Sequence, residues 1–283
     1  MSASYLFVPA HERRFVEKAH QRNADVVILD MEDSVPLAQK QFARDVLTEH
    51  VSLLAQKGQK VWVRINRDFG DCAKDIPATT LSDVAGIILP KVMGSEHIRL
   101  VDEHLSSCER EAALQAGQIK LVALIETPEA LMKACEIANA SNRLQTLAFG
   151  TEDFSTECGF EANADNLFNP AQTLIMAARQ AQVDVIGLPG SIAEVHDMDR
   201  FGALVKKAKN MGFDGVLCIH PRQVACVNDV FAIQPEEIEY AKRVVAAYET
   251  AIAEKRGAIQ LDGKMIDLPI VVRAQALLSK SQS

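Results

Sequence analysis

Carboxylate side chains follow two short apolar runs of the sequence at matching places. Glu126 comes directly after the run 121–125, LVALI, and Asp153 comes shortly after the run 147–149, LAF. Pro128 lies between the two runs and suits the first turn of a helix, where its missing N–H would be unpaired anyway. The pattern therefore predicts strand, helix and strand, with an acid after each strand.

Parallel strands of an α/β sheet end side by side, so acids after successive strands should converge on one small volume. Two carboxylates held close together repel each other unless a cation lies between them. Mg²⁺ is commonly bound through one or two carboxylates, and we therefore predict that Glu126 and Asp153 are ligands of Mg²⁺. The alternative is that each acid caps the helix that follows it.

Eight apolar runs recur along the chain with helical patterns between them, which predicts an α/β fold, a (β/α)8 TIM barrel. The runs are continuous rather than alternating, as is typical of strands covered on both faces. We assign residues 1–230 to the barrel. Within it, the polar and irregular segment 67–80 is predicted to be a loop with at most one helical turn.

Residues 231–283 continue beyond the barrel pattern and are predicted to form a C-terminal helical extension. Barrels of roughly 250 residues are ordinary single domains, so the length alone does not require a second domain. A barrel of eight units does not need the extension for closure. We therefore expect the extension to pack on a neighbouring subunit.

Further polar side chains follow other predicted strands on the same face of the barrel. Arg64 follows the third strand, and its planar fork suits a substrate carboxylate or an enolate oxygen; the alternative is a plain ion pair with Glu32. Glu32 either positions Arg64 or a metal-bound water, or caps a helix. Lys91 is interpreted as structural, and His220 as the start of a helix at Pro221 rather than as a catalytic base.

Gly150 and Thr151 precede Glu152 and Asp153 at the end of the sixth strand. Glycine permits a tight turn whose successive N–H groups point at one spot, which is a natural cradle for a substrate carboxylate. We therefore predict substrate contacts from Gly150, Thr151 and Glu152.

The composition excludes several classes of protein. A formal net charge of −8 argues against nucleic acid or an anionic membrane surface as the main partner. Neither a signal segment nor a run long enough to cross a membrane is found, and the dinucleotide and P-loop glycine patterns are absent. The six cysteines form no C-x-x-C pair, and we interpret them as reduced thiols of a cytoplasmic protein.

Several segments, in their order and spacing, resemble the citrate lyase β-subunit-like branch of the HpcH/HpaI aldolase superfamily. The similarity extends over practically the whole chain and rests on LFVPA, VVILDMEDSVP, VRIN, GIILPKV, ALIETPEAL, AFGTEDFS, GFDGVLCIHPRQV and DGKMIDLP. The superfamily includes malyl-CoA and citramalyl-CoA lyases and the citryl-thioester lyase subunit of citrate lyase. The resemblance implies a barrel enzyme that cleaves carbon–carbon bonds.

The resemblance also implies roles for individual residues. Glu126 and Asp153 would bind Mg²⁺, while Arg64 and Glu126 would contact the substrate. Asp267 of the DGKMID segment would reach the active site of a neighbouring subunit as a catalytic acid or base, which implies a homotrimer. The charge on an enolate leaving group would be offset by Arg64.

By resemblance, the expected reaction is the Mg²⁺-dependent, reversible retro-Claisen cleavage of a 3-hydroxyacyl-CoA thioester. The thioester would be of citramalyl-CoA or malyl-CoA type, and the products acetyl-CoA and a 2-oxo acid. This chain departs from the family at Ala3 and Ser4, where relatives often carry an arginine. We therefore do not expect that arginine's contact to a substrate carboxylate or to the thioester tail.

Three other functions stay open at this point. The chain could be the β subunit of a citrate lyase complex, which cleaves a citryl thioester of an acyl carrier protein and gives oxaloacetate. A phosphoenolpyruvate mutase or isocitrate lyase-like enzyme is disfavoured because the sequence has no Lys-Lys-Cys-Gly loop. A catalytically silent thioester-binding protein is disfavoured because the expected site residues are all present: Arg64, Glu126, Asp153 and Asp267.

Overall fold

Eight parallel strands form one sheet that closes on itself. In chain order they are β1 Ser4–Pro9, β2 Val26–Asp30, β3 Lys60–Arg64, β4 Val84–Leu89, β5 Lys120–Ile125, β6 Leu144–Phe149, β7 Asp184–Ile186 and β8 Val216–Cys218. Hydrogen bonds join them in the order β7-β6-β5-β4-β3-β2-β1-β8, and a parallel bridge between Ile186 and Gly215 brings the two ends of this order together. The predicted (β/α)8 barrel is confirmed.

This computed structural model describes residues 2–253 and 259–281. Met1, residues 254–258 and residues 282 and 283 of the predicted domains lie outside the described residues. Helices follow the strands: α1 Arg13–Ala19, α2 Lys40–Ala55, α3 Phe69–Thr79, α4 Ser95–Glu111, α5 Pro128–Met132, α6 Ala134–Ala138, α7 Thr151–Cys158, α8 Phe168–Ala181, α9 Met198–Met211, α10 Pro221–Phe231, α11 Pro235–Ala253 and α12 Leu268–Ser281. Short 3-10 helices cover His20–Arg22 and Leu37–Gln39.

The inside of the barrel is filled by side chains from all eight strands. They form one buried apolar cluster: Tyr5, Val26, Ile28, Trp62, Ile88, Val122, Leu124, Ala148, Ile186 and Leu217. Side chains along a strand point alternately to opposite faces, so every second residue of a strand faces inward. The same alternation, continued past the last apolar layer, decides which polar residues face inward at the carboxyl ends.

Segment 67–80 contains helix α3, so its prediction as a loop is wrong. Asp68 caps the helix by accepting hydrogen bonds from two backbone N–H groups of the first turn, at 2.9 and 3.3 Å. Pro77 lies inside the helix and cannot donate to the carbonyl oxygen of Ala73, but His104 Nε2 lies 3.2 Å from that oxygen and donates to it. A tertiary contact therefore replaces the hydrogen bond that proline removes.

The described C-terminal residues form a second compact unit, which begins at residue 231. It consists of α11, a hairpin of β9 (Ile259–Leu261) and β10 (Lys264–Ile266), and α12. Asp262 and Gly263 have positive φ angles of 50° and 79°, as a two-residue hairpin turn requires. The unit has a core of its own, formed by Ala241, Val244, Ile266, Val271 and Ala274. Among the described helices, none has both the length and the apolar character needed to span a bilayer.

Candidate active site

A cavity of about 420 Å³ opens at the carboxyl ends of the barrel strands. Strand alternation explains its floor, because Asp30, Arg64 and Glu126 lie two residues beyond the inward-facing Ile28, Trp62 and Leu124. We call this cavity the cup. Its charged and polar lining is Asp30, Asp33, Ser34, Arg64, Glu126, Thr151, Glu152 and Asp153, together with Gly150.

The cup is not the largest cavity of the barrel. A cavity of about 600 Å³ lies between α3 and α4 and is lined largely by apolar side chains. It contains none of the predicted site residues, and its acids Glu96 and Glu103 are not gathered around a buried polar group. We place the site at the cup because the charged side chains converge there.

Glu126 is buried at the floor of the cup, with 3% of its surface exposed. Its side chain passes directly over Gly150, where an added Cβ would come within 2.6 Å of Glu126 Oε1. Burial raises the pKa of Glu126 to about 8, and the negative charges of Glu32 and Asp153 add to this rise. Glu126 does not cap the following helix, since Thr127 does so by accepting from the N–H of Ala130 at 3.1 Å.

Lys91 contacts both predicted metal ligands. Its backbone N–H donates to Glu126 Oε2 at 2.7 Å, and its Nζ lies 2.9 Å from Asp153 Oδ1. Its φ angle is 44°, in the left-handed region that residues other than glycine seldom adopt. The hydrogen bond to Asp153 raises the pKa of Lys91. Lys91, interpreted from the sequence as structural, therefore lies within the site.

Arg64 is held by a carboxylate that the sequence analysis did not single out. Its Nε and one terminal nitrogen donate to the two oxygens of Asp30 at 2.7 and 2.8 Å. The other terminal nitrogen lies 3.1 Å from Glu32 Oε2, and the guanidinium stacks 4.8 Å from the centre of the Phe7 ring. Although burial pushes it upward, the hydrogen bonds from Arg64 hold the pKa of Asp30 below its ordinary value. The arrangement is more than the plain Arg64–Glu32 ion pair.

Glu32 lies against Arg64 and is not among the residues that line the cup. Burial, together with the negative charges of Asp33 and Asp30, raises its pKa to about 7. Arg64 opposes this rise but is already paired with Asp30 through two hydrogen bonds. Helix capping does not account for Glu32, because the next helical turn begins only at Leu37. The structure favours a role in positioning Arg64.

The turn at Gly150 is only partly free to act as the predicted cradle. The N–H of Gly150 donates to the carbonyl oxygen of Ile125 at 3.0 Å, so this N–H cannot bind a substrate carboxylate. The Thr151 hydroxyl donates to the carbonyl of Gly190 at 2.8 Å, and Glu152 Oε1 accepts from Ser191 at 2.5 Å. What Gly150 provides is room for Glu126. Substrate contacts from the N–H groups of Thr151 and Glu152 stay a prediction.

The remaining candidates, Asp267 and His220, have exposed side chains. Asp267 belongs to the second compact unit, is exposed, and accepts the first hydrogen bonds of α12 through its carbonyl oxygen at 3.1 Å. His220 precedes α10, as predicted, and is exposed. Asp30 lines the cup and pairs with Arg64, and sequence reasoning did not single it out. The signal that would have found it is the alternation Val26, Ile28, Asp30 along one buried strand.

The residues of the cup fit a divalent cation. Glu126 and Asp153 face the same cavity, and the negative charge of Asp153 adds to burial in raising the pKa of Glu126, which a cation would reverse. No closed group of three or more His, Cys, Asp or Glu ligands is found in residues 2–253 and 259–281. A metal ion held by these two acids would take its other ligands from water and substrate, as is common for Mg²⁺.

A model of the family described as HpcH/HpaI aldolase/citrate lyase matches residues 3–221 of this chain. The chain belongs to this family. Membership confirms the resemblance found in the sequence and the predicted enzyme class, a carbon–carbon lyase.

Relatives in the HpcH/HpaI aldolase/citrate lyase family are similar over almost the whole chain. The citrate lyase subunit beta of Leuconostoc mesenteroides subsp. cremoris is 31% identical over 276 residues, covering 96% of this chain and 91% of that protein. The (3S)-malyl-CoA thioesterase of Cereibacter sphaeroides is 30% identical over 283 residues, covering 99% of this chain and 94% of that protein. The crystal structure of the protein CitE from Mycobacterium tuberculosis, in complex with magnesium, acetoacetate and coenzyme A, has a TM-score of 0.78 and 26% identity, covering 100% of this chain and 98% of that one.

Proposed function

We propose that this protein cleaves a 3-hydroxyacyl-CoA thioester, of citramalyl-CoA or malyl-CoA type, to acetyl-CoA and a 2-oxo acid by a reversible retro-Claisen step. The observation that supports this most is the convergence of Glu126, Asp153 and Arg64 in one cavity of about 420 Å³. A cavity of this size suits a small substrate, and its two acids and one guanidinium match the charges that such a reaction must handle. The relatives named for citrate lyase and malyl-CoA favour the same substrate class.

Glu126 and Asp153 are the residues that we propose to hold Mg²⁺. When bound there, the ion would act as a Lewis acid on the hydroxyl or keto oxygen of the substrate. Magnesium is present in the structure of the CitE relative from Mycobacterium tuberculosis, which supports the same metal here. Lys91 orients both acids, Glu126 through its backbone N–H and Asp153 through its ammonium group.

Arg64 is the residue that we propose to stabilise the negative charge of the departing enolate. Its two hydrogen bonds to Asp30 fix the plane of the guanidinium before any substrate enters. A donor that is already oriented toward developing charge needs no rearrangement during the reaction, which is what makes such groups effective. The Phe7 ring beneath the guanidinium limits its movement further.

The proton for the enolate carbon is proposed to come from Asp267 of a neighbouring subunit in a homotrimer. This part of the proposal rests on the resemblance of the DGKMID segment and on the exposure of Asp267. An acid that is exposed on its own subunit is free to contact a neighbouring subunit. The proposal also places the enzyme in the cytoplasm, in agreement with six free cysteines, three of which are buried.

A second candidate is the β subunit of a citrate lyase complex, acting on a citryl thioester of an acyl carrier protein. The identity of 31% over 276 residues with a citrate lyase subunit beta favours it. The two candidates share the chemistry and differ in the acyl group and its carrier. A silent thioester-binding protein is the weakest candidate, because the acids and the arginine of the cup are intact.

The experiment is a Mg²⁺-dependent assay of the purified protein with a panel of thioesters. Citramalyl-CoA, malyl-CoA and citryl-CoA would release pyruvate, glyoxylate and oxaloacetate, each of which a coupled dehydrogenase detects; a citryl acyl carrier protein is tested beside them. We expect release of pyruvate or glyoxylate that stops when Mg²⁺ is chelated. Oxaloacetate from the carrier protein alone would favour the second candidate, and no oxo acid from any thioester would contradict both.

A further inference from the structure

Helix α2 contacts the segment that follows β2 and the helix that follows β3, the two strands that end in Asp30 and Arg64. Lys40 Nζ donates to the backbone carbonyls of Met31 and Glu32 at 2.8 and 2.5 Å, just after β2. Arg44 lies one helical turn further on, and its Nε donates to Asp75 Oδ1 of α3 at 2.6 Å. Residues four apart lie on one face of a helix, so this face of α2 holds two cations side by side.

Asp75 connects α2 to the end of β3. Its carboxylate is fully buried, with 0% of its surface exposed. Oδ1 accepts from Arg44, while Oδ2 accepts from both the backbone N–H and the side-chain amide of Asn66 at 2.7 Å each. Asn66 stands two residues after Arg64 in the chain. The position of the turn that follows Arg64 is thus fixed by a buried carboxylate of another helix.

The two contacts of α2 are linked through the backbone of Arg64 itself. The N–H of Met31 donates to the carbonyl oxygen of Arg64 at 3.0 Å, and Lys40 holds the carbonyl of Met31. The chain is therefore held at the carbonyl of Arg64 by Met31 and two residues later, at Asn66, by Asp75. Hydrogen bonds to charged groups are short and directional. The contacts of Lys40 and Asp75 therefore fix the orientation of the backbone around Arg64 as well as its position.

Stability alone is a poor reason for these buried charges. Removing two charges from water is costly, and replacing a buried ion pair by apolar side chains of similar volume is often neutral or stabilising. Arg44 and Asp75 are 9% and 0% exposed, so both bear this cost in full. An apolar pair at these positions would pack as well but could not hold the two N–H groups of Asn66.

We propose that Asp75, paired with Arg44, is a positioning residue for Arg64. It holds the turn at Asn66 so that the guanidinium of Arg64 lies on Asp30 and faces the cup. Neither Asp75 nor Arg44 lines the cup, so both act through other residues. The consequence for turnover rests on the proposed function of Arg64, whereas the consequence for its orientation does not.

The barrel contains a matched control at its opposite end. Arg143, Glu109 and Asp102, which we call the base cluster, surround the turns that lead into β5 and β6. Glu109 is also 0% exposed, lies 2.7 Å from a terminal nitrogen of Arg143, and accepts from two backbone N–H groups at 2.8 and 3.0 Å. The chemistry matches that of Arg44 and Asp75, yet the cluster is at the amino-terminal end of the strands, away from the cup.

The test compares three variants: Asp75→Asn, Asn66→Ala and Glu109→Gln. The first readout is the Nε–H resonance of Arg64 in protein labelled with ¹⁵N-arginine, assigned by its loss in Arg64→Lys. We expect the resonance to shift in Asp75→Asn and Asn66→Ala and to stay in place in Glu109→Gln. Asn66→Ala keeps the Arg44–Asp75 pair and the backbone hydrogen bond, so it provides the readout even where Asp75→Asn fails to fold.

The second readout is steady-state kinetics with whichever thioester the wild type cleaves. We expect kcat of Asp75→Asn to fall about tenfold to a hundredfold with a smaller change in KM, because a displaced group loses transition-state contacts first. Glu109→Gln should lose about as much thermal stability as Asp75→Asn but leave kcat unchanged. An unmoved Arg64 resonance in both variants, or in Asn66→Ala alone where Asp75→Asn fails to fold, overturns the proposal. A moved resonance with unchanged kcat upholds the positioning and counts instead against the proposed function of Arg64.

Discussion

The two ends of the barrel differ in how fully their buried acids are paired. At the amino-terminal end, Glu109 receives two hydrogen bonds from Arg143 and two from backbone N–H groups. Burial raises its pKa, but these contacts more than compensate and hold the pKa below its ordinary value. At the carboxyl-terminal end, Arg64 holds Asp30 in the same way, but burial prevails at the other two acids and raises the pKa to about 8 for Glu126 and about 7 for Glu32.

We propose that the difference separates charges that stabilise the fold from charges that bind a ligand. A buried acid with all its donors in place stabilises the structure in which it lies. A buried acid with too few donors destabilises that structure, and an arrangement that keeps such acids at the mouth of a barrel fits a site for a bound cation or substrate. On this proposal, the same fold uses buried carboxylates for two purposes.

The largest expected effect is the loss of turnover in Asp153→Asn. Removing one of the two proposed Mg²⁺ ligands should lower kcat about a thousandfold, since a metal ligand contributes several kcal/mol to transition-state stabilisation. Thermal stability should change little, because Asp153 is half-exposed at the rim. Glu157→Gln, an exposed acid of the same helix, is the control and should keep full activity. Normal turnover of Asp153→Asn in the thioester assay would remove the distinction between the two ends.

Arg143→Met should have the reverse effect at the other end. It leaves Glu109 and Asp102 without their cation, and breaking a buried pair in this way costs about 3–5 kcal/mol of folding free energy. Denaturant unfolding measures this loss, while kcat of the folded fraction should equal that of the wild type. A large fall in kcat without a fall in stability would show that the base cluster also serves the site.

Arg64→Lys should weaken activity by a smaller amount. Lysine keeps the charge but loses the fork that pairs with both oxygens of Asp30, so its charge is less well directed. We expect kcat/KM to fall about tenfold to a hundredfold, as is common when an oriented group is lost. Arg179→Lys, an ion-paired arginine away from the cup, is the matched substitution and should leave kcat/KM unchanged. Equal kinetics of the two variants would contradict the role given to Arg64.

The smallest expected effect is a difference in pH dependence between Glu32→Gln and Glu109→Gln. The pKa of Glu32 rises from 4.5 to about 7 on folding, so wild-type stability falls as pH rises through that window, and the Glu32→Gln variant should not show this fall. The pKa of Glu109 is lowered from 4.5, so its contribution is present above that pH and is lost as pH falls below it. Each unit of pKa displacement corresponds to about 1.4 kcal/mol.

Unfolding midpoints of both variants and the wild type between pH 4 and pH 8 test this prediction. As pH rises toward 8, the stability of Glu32→Gln relative to the wild type should increase. The stability of Glu109→Gln relative to the wild type should decrease over the same range. If the stability difference from the wild type changed with pH in the same direction for both variants, the two ends would not differ in the way described.

The barrel and most of the cup could be predicted from the sequence, because both follow from local patterns. Continuous apolar runs mark the strands, and the acids that end two of them mark Glu126 and Asp153. The position of Arg64 at the end of the third strand and its planar fork predicted a substrate role, and the resemblance implied the same role. Asp30 was within reach of the same reasoning, since it continues the inward alternation of β2.

The other features depend on contacts that no local pattern contains. Helix α3 forms around Pro77 because His104, far along the chain, takes the freed carbonyl. Lys91 enters the site because its backbone adopts a left-handed conformation that directs its N–H to Glu126. Arg44 contacts Asp75 only because α2 and α3 pack side by side. Burial, which sets the raised pKa values of Glu126 and Glu32, is likewise a property of the folded chain.

The most direct test of the central claim, that the acids of the cup serve a cation and those of the base cluster do not, is calorimetric titration with Mg²⁺. Wild-type protein and Glu109→Gln should bind Mg²⁺ with the same affinity. Glu126→Gln and Asp153→Asn should each bind it at least about tenfold more weakly, because each removes an oxygen ligand. Unchanged Mg²⁺ affinity in both of these variants would contradict the claim.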